Sequence, residues 1–247
     1  MTIDYFILYV LLVIFLATLI RSIFGFGESL VAVPLLAFRI PLEVAVPLSV
    51  LVSITVASVV VVQDRQQIHF RSAGWLVLFT ILGIPLGLML LTAGDEQIVK
   101  AVLGFITIAF SLYSLYGKAP IELKTDSKGW LFGCGFIAGI LGGAYGLNGP
   151  PLVVYGAMRR WSAQHFRATL QGYYLPASML GMLGYWIKGL WTTQLTYYFL
   201  WSLPVMIPAI FIGRTINRRM HGETFFKYVY FGLIAIGALL LYQSIFK

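Results

Sequence analysis

The stretch Gly143-Ala144-Tyr145-Gly146-Leu147-Asn148-Gly149-Pro150-Pro151 interrupts a long apolar run with residues that favour loops. Lipid offers no water to freed backbone N–H and C=O groups, so irregular backbone survives at membrane depth only beside protein or a cavity. A weaker echo, Gly25-Phe26-Gly27-Glu28-Ser29, stands near the start of the chain. Broken apolar segments at matching positions of two halves are the sequence pointer to a transporter's binding site.

The lipid setting follows from composition. The chain is 60% hydrophobic and 11% charged, with a mean hydropathy of +0.89, whereas soluble domains carry roughly a quarter charged residues. The net charge of +8 therefore concerns orientation in a bilayer. The basic residues form no groove interleaved with stacking aromatics, so no nucleic acid is expected as partner. Residues 1–20 lack a basic leading region and an Ala-x-Ala cleavage pattern, and read as a retained helix. Cys134, the single cysteine, allows no internal disulfide and reads as a packing residue. No His-Glu-x-x-His, Gly-x-Ser-x-Gly or Gly-x-x-x-x-Gly-Lys sequence occurs, which argues against an enzyme and against a built-in ATPase. No cofactor or metal is expected, since His69, His165 and His221 fall near interfaces without metal spacing.

Apolar stretches long enough to cross a bilayer run over about 4–24, 43–62, 73–92, 97–116, 129–145, 163–187, 194–213 and 225–246. Two shorter pieces, 29–38 and 150–158, follow the glycine-rich breaks. Each reaches about 15 Å as a helix, half a bilayer. The polar connector Lys118 to Lys128 separates two halves, 1–117 and 129–247. Each half opens with a span, a break and a half-length piece, and then runs through three more spans. Ile84-Pro85 and Ile207-Pro208 mark the third full span of each half.

Charge decides how the breaks run. If each broken segment makes one crossing, the loop cations divide almost evenly between the two sides. If each enters and returns as a hairpin, one side gathers Arg65, Arg71, Lys118, Lys124, Lys128, Arg159, Arg160, Arg167, Arg214, Arg218, Arg219 and Lys227. The other side then keeps Arg39, Lys100, Lys188 and Lys247. The second arrangement obeys the positive-inside tendency. It predicts an all-α polytopic membrane protein of two inverted repeats, each a re-entrant hairpin plus three spans. Both termini lie outside and the basic loops are cytoplasmic.

The breaks also suggest chemistry. Asn148 is placed to cap a helix in which Pro150 takes the first position, where its missing N–H costs nothing. Such a start carries unsatisfied N–H groups and about half a positive charge, which attracts anions. Gly25, Phe26, Gly27, Glu28 and Ser29 offer the same geometry in the first half. Inverted repeats would bring both starts to one cavity, with Ser49 and Ser53 on one face of the second span and Thr169 and Gln171 on its mate. Substrate-binding candidates are therefore Gly25, Phe26, Gly27, Glu28, Ser29, Ser49, Ser53, Asn148, Gly149, Pro150, Thr169 and Gln171. A mid-membrane carboxylate is functional by default, so Glu28 is the candidate for carrying a coupling proton. Its structural alternative is a partner for Arg21. Arg167 reads as an interfacial anchor.

At Gly25-Phe26-Gly27-Glu28-Ser29-Leu30-Val31-Ala32-Val33-Pro34-Leu35-Leu36 and Gly146-Leu147-Asn148-Gly149-Pro150-Pro151-Leu152-Val153-Val154-Tyr155, the sequence resembles the sulfite exporter TauE/SafE family of membrane permeases. The resemblance covers essentially the whole chain, with one glycine-rich stretch opening each half. It implies transport of sulfite, organosulfonates or related small anions across the cytoplasmic membrane. Glu28 and Ser29 depart from the family pattern, in which further glycines are common there. An anion channel and a membrane anchor subunit without transport activity are the alternatives.

Overall fold

A computed structural model of the chain describes residues 5–64, 68–116, 122–161, 163–219 and 224–246. Arg65, Lys118, His221 and Lys247, which enter the charge and histidine readings above, lie outside the described residues. Among the described residues there are ten helices and no strand. They are α1 (Tyr5–Phe24), α2 (Glu28–Leu36), α3 (Leu42–Asp64), α4 (Phe70–Ala93), α5 (Glu96–Tyr116), α6 (Lys128–Tyr145), α7 (Gly149–Met158), α8 (Ala163–Ile187), α9 (Thr193–Arg219) and α10 (Thr224–Phe246). Both breaks fall between a long helix and a half-length one.

Five helices, α1, α3, α4, α5 and α9, contain segments long and apolar enough to cross a membrane. Their surfaces differ in a way lipid explains. On α4 the large side chains Leu78, Leu82, Leu86 and Met89 are exposed along one stripe, which in water would be a large unpaid apolar surface. The span within α3 is 72% buried, so α3 sits at the centre and is apolar nearly all round.

Each short helix folds back along its long predecessor. The Tyr9 hydroxyl donates to the Leu35 carbonyl while Arg21 pairs with Glu28, so α2 returns toward the end where α1 began. The second hairpin repeats this. Tyr155 donates to Asp126 at 2.8 Å, and the Leu123 N–H donates to the Met158 carbonyl at 2.8 Å, just ahead of the α6 start. Asp126 also accepts from Ser72 on α4 and from Arg159, tying the connector to α7 and α4. Burial works to raise the Asp126 pKa, but the Tyr155 and Ser72 hydrogen bonds and the Arg159 cation outweigh it. The carboxyl is held below its usual range.

Contacts between helices also fix directions. Added Cβ atoms on Gly83 and Gly87 would lie 2.2 Å from the carbonyl oxygens of Phe136 and Ile140, respectively. Residue numbers rise together along this seam, so α4 and α6 run side by side in one direction. In the same way α1 follows α9, with Phe6 against Tyr198 and Ser22 against Gly213. By contrast, α5 and α10 run oppositely, since Gly104 faces Leu240 and Leu241 while Ile108 faces Gly237. The helices α3 and α8 also run oppositely, as Ser53 meets Ser178 and His69 meets Thr169. The glycine seam between α4 and α6 is backbone on backbone, the close approach that small residues permit in membranes.

That seam makes a direct test. A Cβ on Gly139 would stand 2.3 Å from the Thr80 carbonyl oxygen, whereas one on Gly133 meets nothing within 4 Å. Gly139→Ala is expected to destabilise the protein by about 1–3 kcal/mol through overpacking. Gly133→Ala should stay within about 0.5 kcal/mol of the parent. Thermal unfolding in detergent compares the two, and equal melting would contradict the close-packed seam.

Candidate functional site

Two glycines make the breaks possible. Gly27 precedes α2 with φ 95° and Gly146 follows α6 with φ 68°. Both lie in the left-handed region that side chains disfavour. The turns are tight enough to bring the two half-length helices together: a Cβ on Gly146 would lie 3.4 Å from Ser29 Oγ. Between the helix starts lies a small cavity of about 20 Å³, room for about one water molecule. Its polar lining comes from Arg21, Glu28, Ser29, Ser53 and Tyr174, with Gly149 and Pro150 closing the α7 side.

Arg21, in the last turn of α1, is the centre of this group. One terminal nitrogen, Nη1, lies 2.6 Å from Glu28 Oε2 and 2.6 Å from Ser53 Oγ. The other, Nη2, donates to Gln171 Oε1 at 2.9 Å. The guanidinium also stands 4.7 Å from the centre of the Tyr174 ring, a cation–π distance. Arg21 and Glu28 are 3% and 1% exposed, so the pair is desolvated. The Arg21 Nε–H, buried with them, has no hydrogen-bond partner among the described residues. Both charges suit their helix ends, a cation at the C-terminus of α1 and a carboxylate at the N-terminus of α2.

Ser53 lies at the middle of α3 and Tyr174 close to the middle of α8, so the group is far from either end of the long helices. Depth of this kind makes charge expensive and each polar contact consequential.

The structure draws most of the sequence-predicted residues into this one group. Phe26, Gly27, Glu28, Ser29, Ser53, Gly149 and Pro150 line the cavity. Phe26 is set edge-on between Phe110 and Phe166. Ser49 stands behind the lining, 3.0 Å from Glu28 Oε1 and 2.9 Å from Ser29 Oγ. Gln171 holds Arg21 and also donates from Nε2 to the Gly25 carbonyl at 2.7 Å, which positions the first break. Arg167 packs its stem against Gly25, nearer the group than an anchor at a helix end would be.

Other expectations change. Asn148 makes no side-chain cap; its Nδ2 donates to the Tyr173 hydroxyl at 3.3 Å. Pro150 is the second residue of α7, after Gly149. Since Pro150 and Pro151 lack N–H groups, the α7 start offers its dipole and few free donors. Thr169 accepts from the His69 N–H at 3.1 Å, at the connection into α4, outside the cavity lining.

Two polar lining residues are not among the sequence-derived candidates: Arg21, which the sequence offers only as a partner for Glu28, and Tyr174. Gln171, Tyr174 and Ser178 are spaced by three and four residues, one polar face of α8, and that spacing was the available signal. Elsewhere, His69 stacks on Trp161 and neighbours His165. No group of three metal-ligating side chains occurs among the described residues.

Removing one partner of a desolvated ion pair strands the other charge. Arg21→Gln and Glu28→Gln, each made alone, are therefore expected to cost about 3–5 kcal/mol of stability. The double variant Arg21→Gln/Glu28→Gln, which leaves no charge, should recover most of it. A thermal-unfolding double-mutant cycle in detergent reads the coupling, and strict additivity of the two single changes would refute it.

Comparison with known proteins adds one match. The family model described as Sulfite exporter TauE/SafE matches residues 10–241. Neither a curated protein nor a solved structure matches the chain.

Proposed function

The chain belongs to the sulfite exporter TauE/SafE family of membrane transporters, and from that premise we propose that it carries sulfite, an organosulfonate or a related small oxyanion across the cytoplasmic membrane. The observation that supports this most is the buried Arg21, which lines a cavity between two helix starts and whose Nε–H has no hydrogen-bond partner among the described residues. An oxyanion would accept from the planar guanidinium fork, as carboxylates and phosphates do. It would also gain from the dipole at the start of α2 and, more weakly, of α7. The rings of Phe26 and Tyr174 supply apolar surface to the cavity wall.

Alternating access suits the helix directions. The corresponding pairs α3 and α8, and α5 and α10, run oppositely, and the α1–α9 contact is the counterpart of the α6–α4 contact. These relations favour two inverted repeats meeting at the Arg21 group, with one repeat rocking on the other to expose the site to each side in turn. The connector around Leu123–Asp126 and the loops at His69 and Trp161 share one end of the bundle. That end carries Arg71, Lys124, Lys128, Arg159 and Arg160, and we assign it to the cytoplasm by the positive-inside tendency. Both termini are then outside.

Ligand stabilisation tests the assignment. Sulfite or ethanesulfonate should raise the melting temperature of the purified protein, by the equivalent of about 2.7 kcal/mol at a hundredfold excess over Kd. Choline and glucose should leave it unchanged. The neutral double variant Arg21→Gln/Glu28→Gln should lose the response. Equal stabilisation of that variant by the anions would place the site elsewhere.

A further inference from the structure

Glu28 takes the place at Arg21 that an anion would need. Its carboxylate meets Nη1 at 2.6 Å from the cavity side, in the first turn of α2 where a bound oxyanion would also sit. A cavity of about 20 Å³ holds about one water and no sulfonate group. An entering anion must therefore move something, and the group it resembles chemically is the Glu28 carboxylate. Resting on the anion-site reading above, we propose that Glu28 is a tethered occupant of the site. The transported anion displaces it from Arg21 together with one proton taken up by Glu28, so one monovalent anion moves with one proton.

Charge balance leads to this stoichiometry. The ionisable groups lining the cavity are Arg21, Glu28 and Tyr174. The first two cancel, and a buried tyrosine is neutral. From the remaining elements packed on α2, the groups near Glu28 are the hydroxyls of Ser49 and Ser53. The charges of α5, Glu96 and Lys100, pair with each other in its first turn. The sole charged residue of α10, Lys227, is in the first turn of that helix. Arg167 packs its stem against Gly25 and is not one of the residues lining the cavity. An added monoanion would leave one uncompensated negative charge in a desolvated site, which one proton on Glu28 removes. A dianion would leave the site negative even then, so the site prefers a monosulfonate or hydrogen sulfite to a divalent oxyanion.

The surrounding bonds fit an exchange of this kind. With Glu28 released, Arg21 is still held by Ser53 at 2.6 Å, Gln171 at 2.9 Å and the Tyr174 ring. The cation therefore stays in place for the incoming ligand. A protonated Glu28 has an acceptor 3.0 Å away in Ser49 Oγ, which can turn its own hydrogen to Ser29 Oγ at 2.9 Å. Ser29 borders the cavity, so the same three residues offer the proton a way in.

Methanesulfonate, a monoanion at every pH in the useful range, is the probe. Titration calorimetry on the purified protein in two buffers of different ionisation enthalpy reads the protons taken up. The expected result is about one proton per bound anion and an affinity falling about tenfold per pH unit as pH rises between about 6 and 8, as linkage requires for one proton. Glu28→Gln should bind without proton uptake and without pH dependence. Binding to the parent protein with no proton uptake overturns the inference while leaving the anion site standing. Absence of binding to both parent and variant overturns the site itself. Proton uptake by the parent decides the matter even if the variant does not fold.

Discussion

A charged pair removed from water at the middle of a helical bundle constrains everything around it. Desolvating two ions costs several kcal/mol per ion, which is repaid only by good geometry and further hydrogen bonds. Here the geometry is supplied from four directions. The guanidinium comes from the end of α1, the carboxylate from the start of α2, a serine from the centre of α3 and an amide from α8. The helices that converge there cannot shift independently without breaking one of those bonds. An apolar pair would have cemented the bundle at lower cost, so a cation kept at this depth points to a ligand.

The hairpins explain how such a site is reached by a chain that must satisfy its backbone in lipid. A helix that stops at mid-depth exposes its end groups, and the protein meets this in two ways. At the first break Gln171 bonds the Gly25 carbonyl, and the carboxylate of Glu28 sits at the helix start. At the second, the Tyr185 hydroxyl reaches the carbonyls of Gly142 and Gly143, while two prolines remove N–H groups that would otherwise want partners. The two breaks are thus similar in path and unlike in chemistry. The first is charged and polar; the second is neutral and stiff. In the proposed exchange, this asymmetry makes α2 the exchanging side and α7 its wall.

Much of the architecture was legible because a bilayer enforces strong patterns. The spans read from apolar length agree closely with the helix bounds, and the half-length helices begin where glycine and proline broke the runs. The hairpin path was legible from cation placement, since a single crossing would have scattered the positive charge. Tertiary choice was less so. Thr169 and Gln171 looked equivalent as polar residues in one span, yet two helical steps turn the chain by about 200°. Gln171 therefore faces Arg21 while Thr169 faces the His69 N–H. Asn148 is a good cap by type, but Gly142 leaves space for its side chain to tuck beside α6 and meet Tyr173. Arg21 was hidden by its position at the end of an apolar span, where an arginine ordinarily reads as an anchor.

An anion held on Arg21 between the starts of α2 and α7 can be seen there once bound. Structure determination of the protein saturated with ethanesulfonate, a sulfonate distinguishable from water by its bulk, is the decisive measurement. Density for the sulfonate is expected within hydrogen-bond distance of the Arg21 guanidinium, with the Glu28 carboxylate turned away from it. Density elsewhere, with the Arg21–Glu28 pair intact, would contradict it.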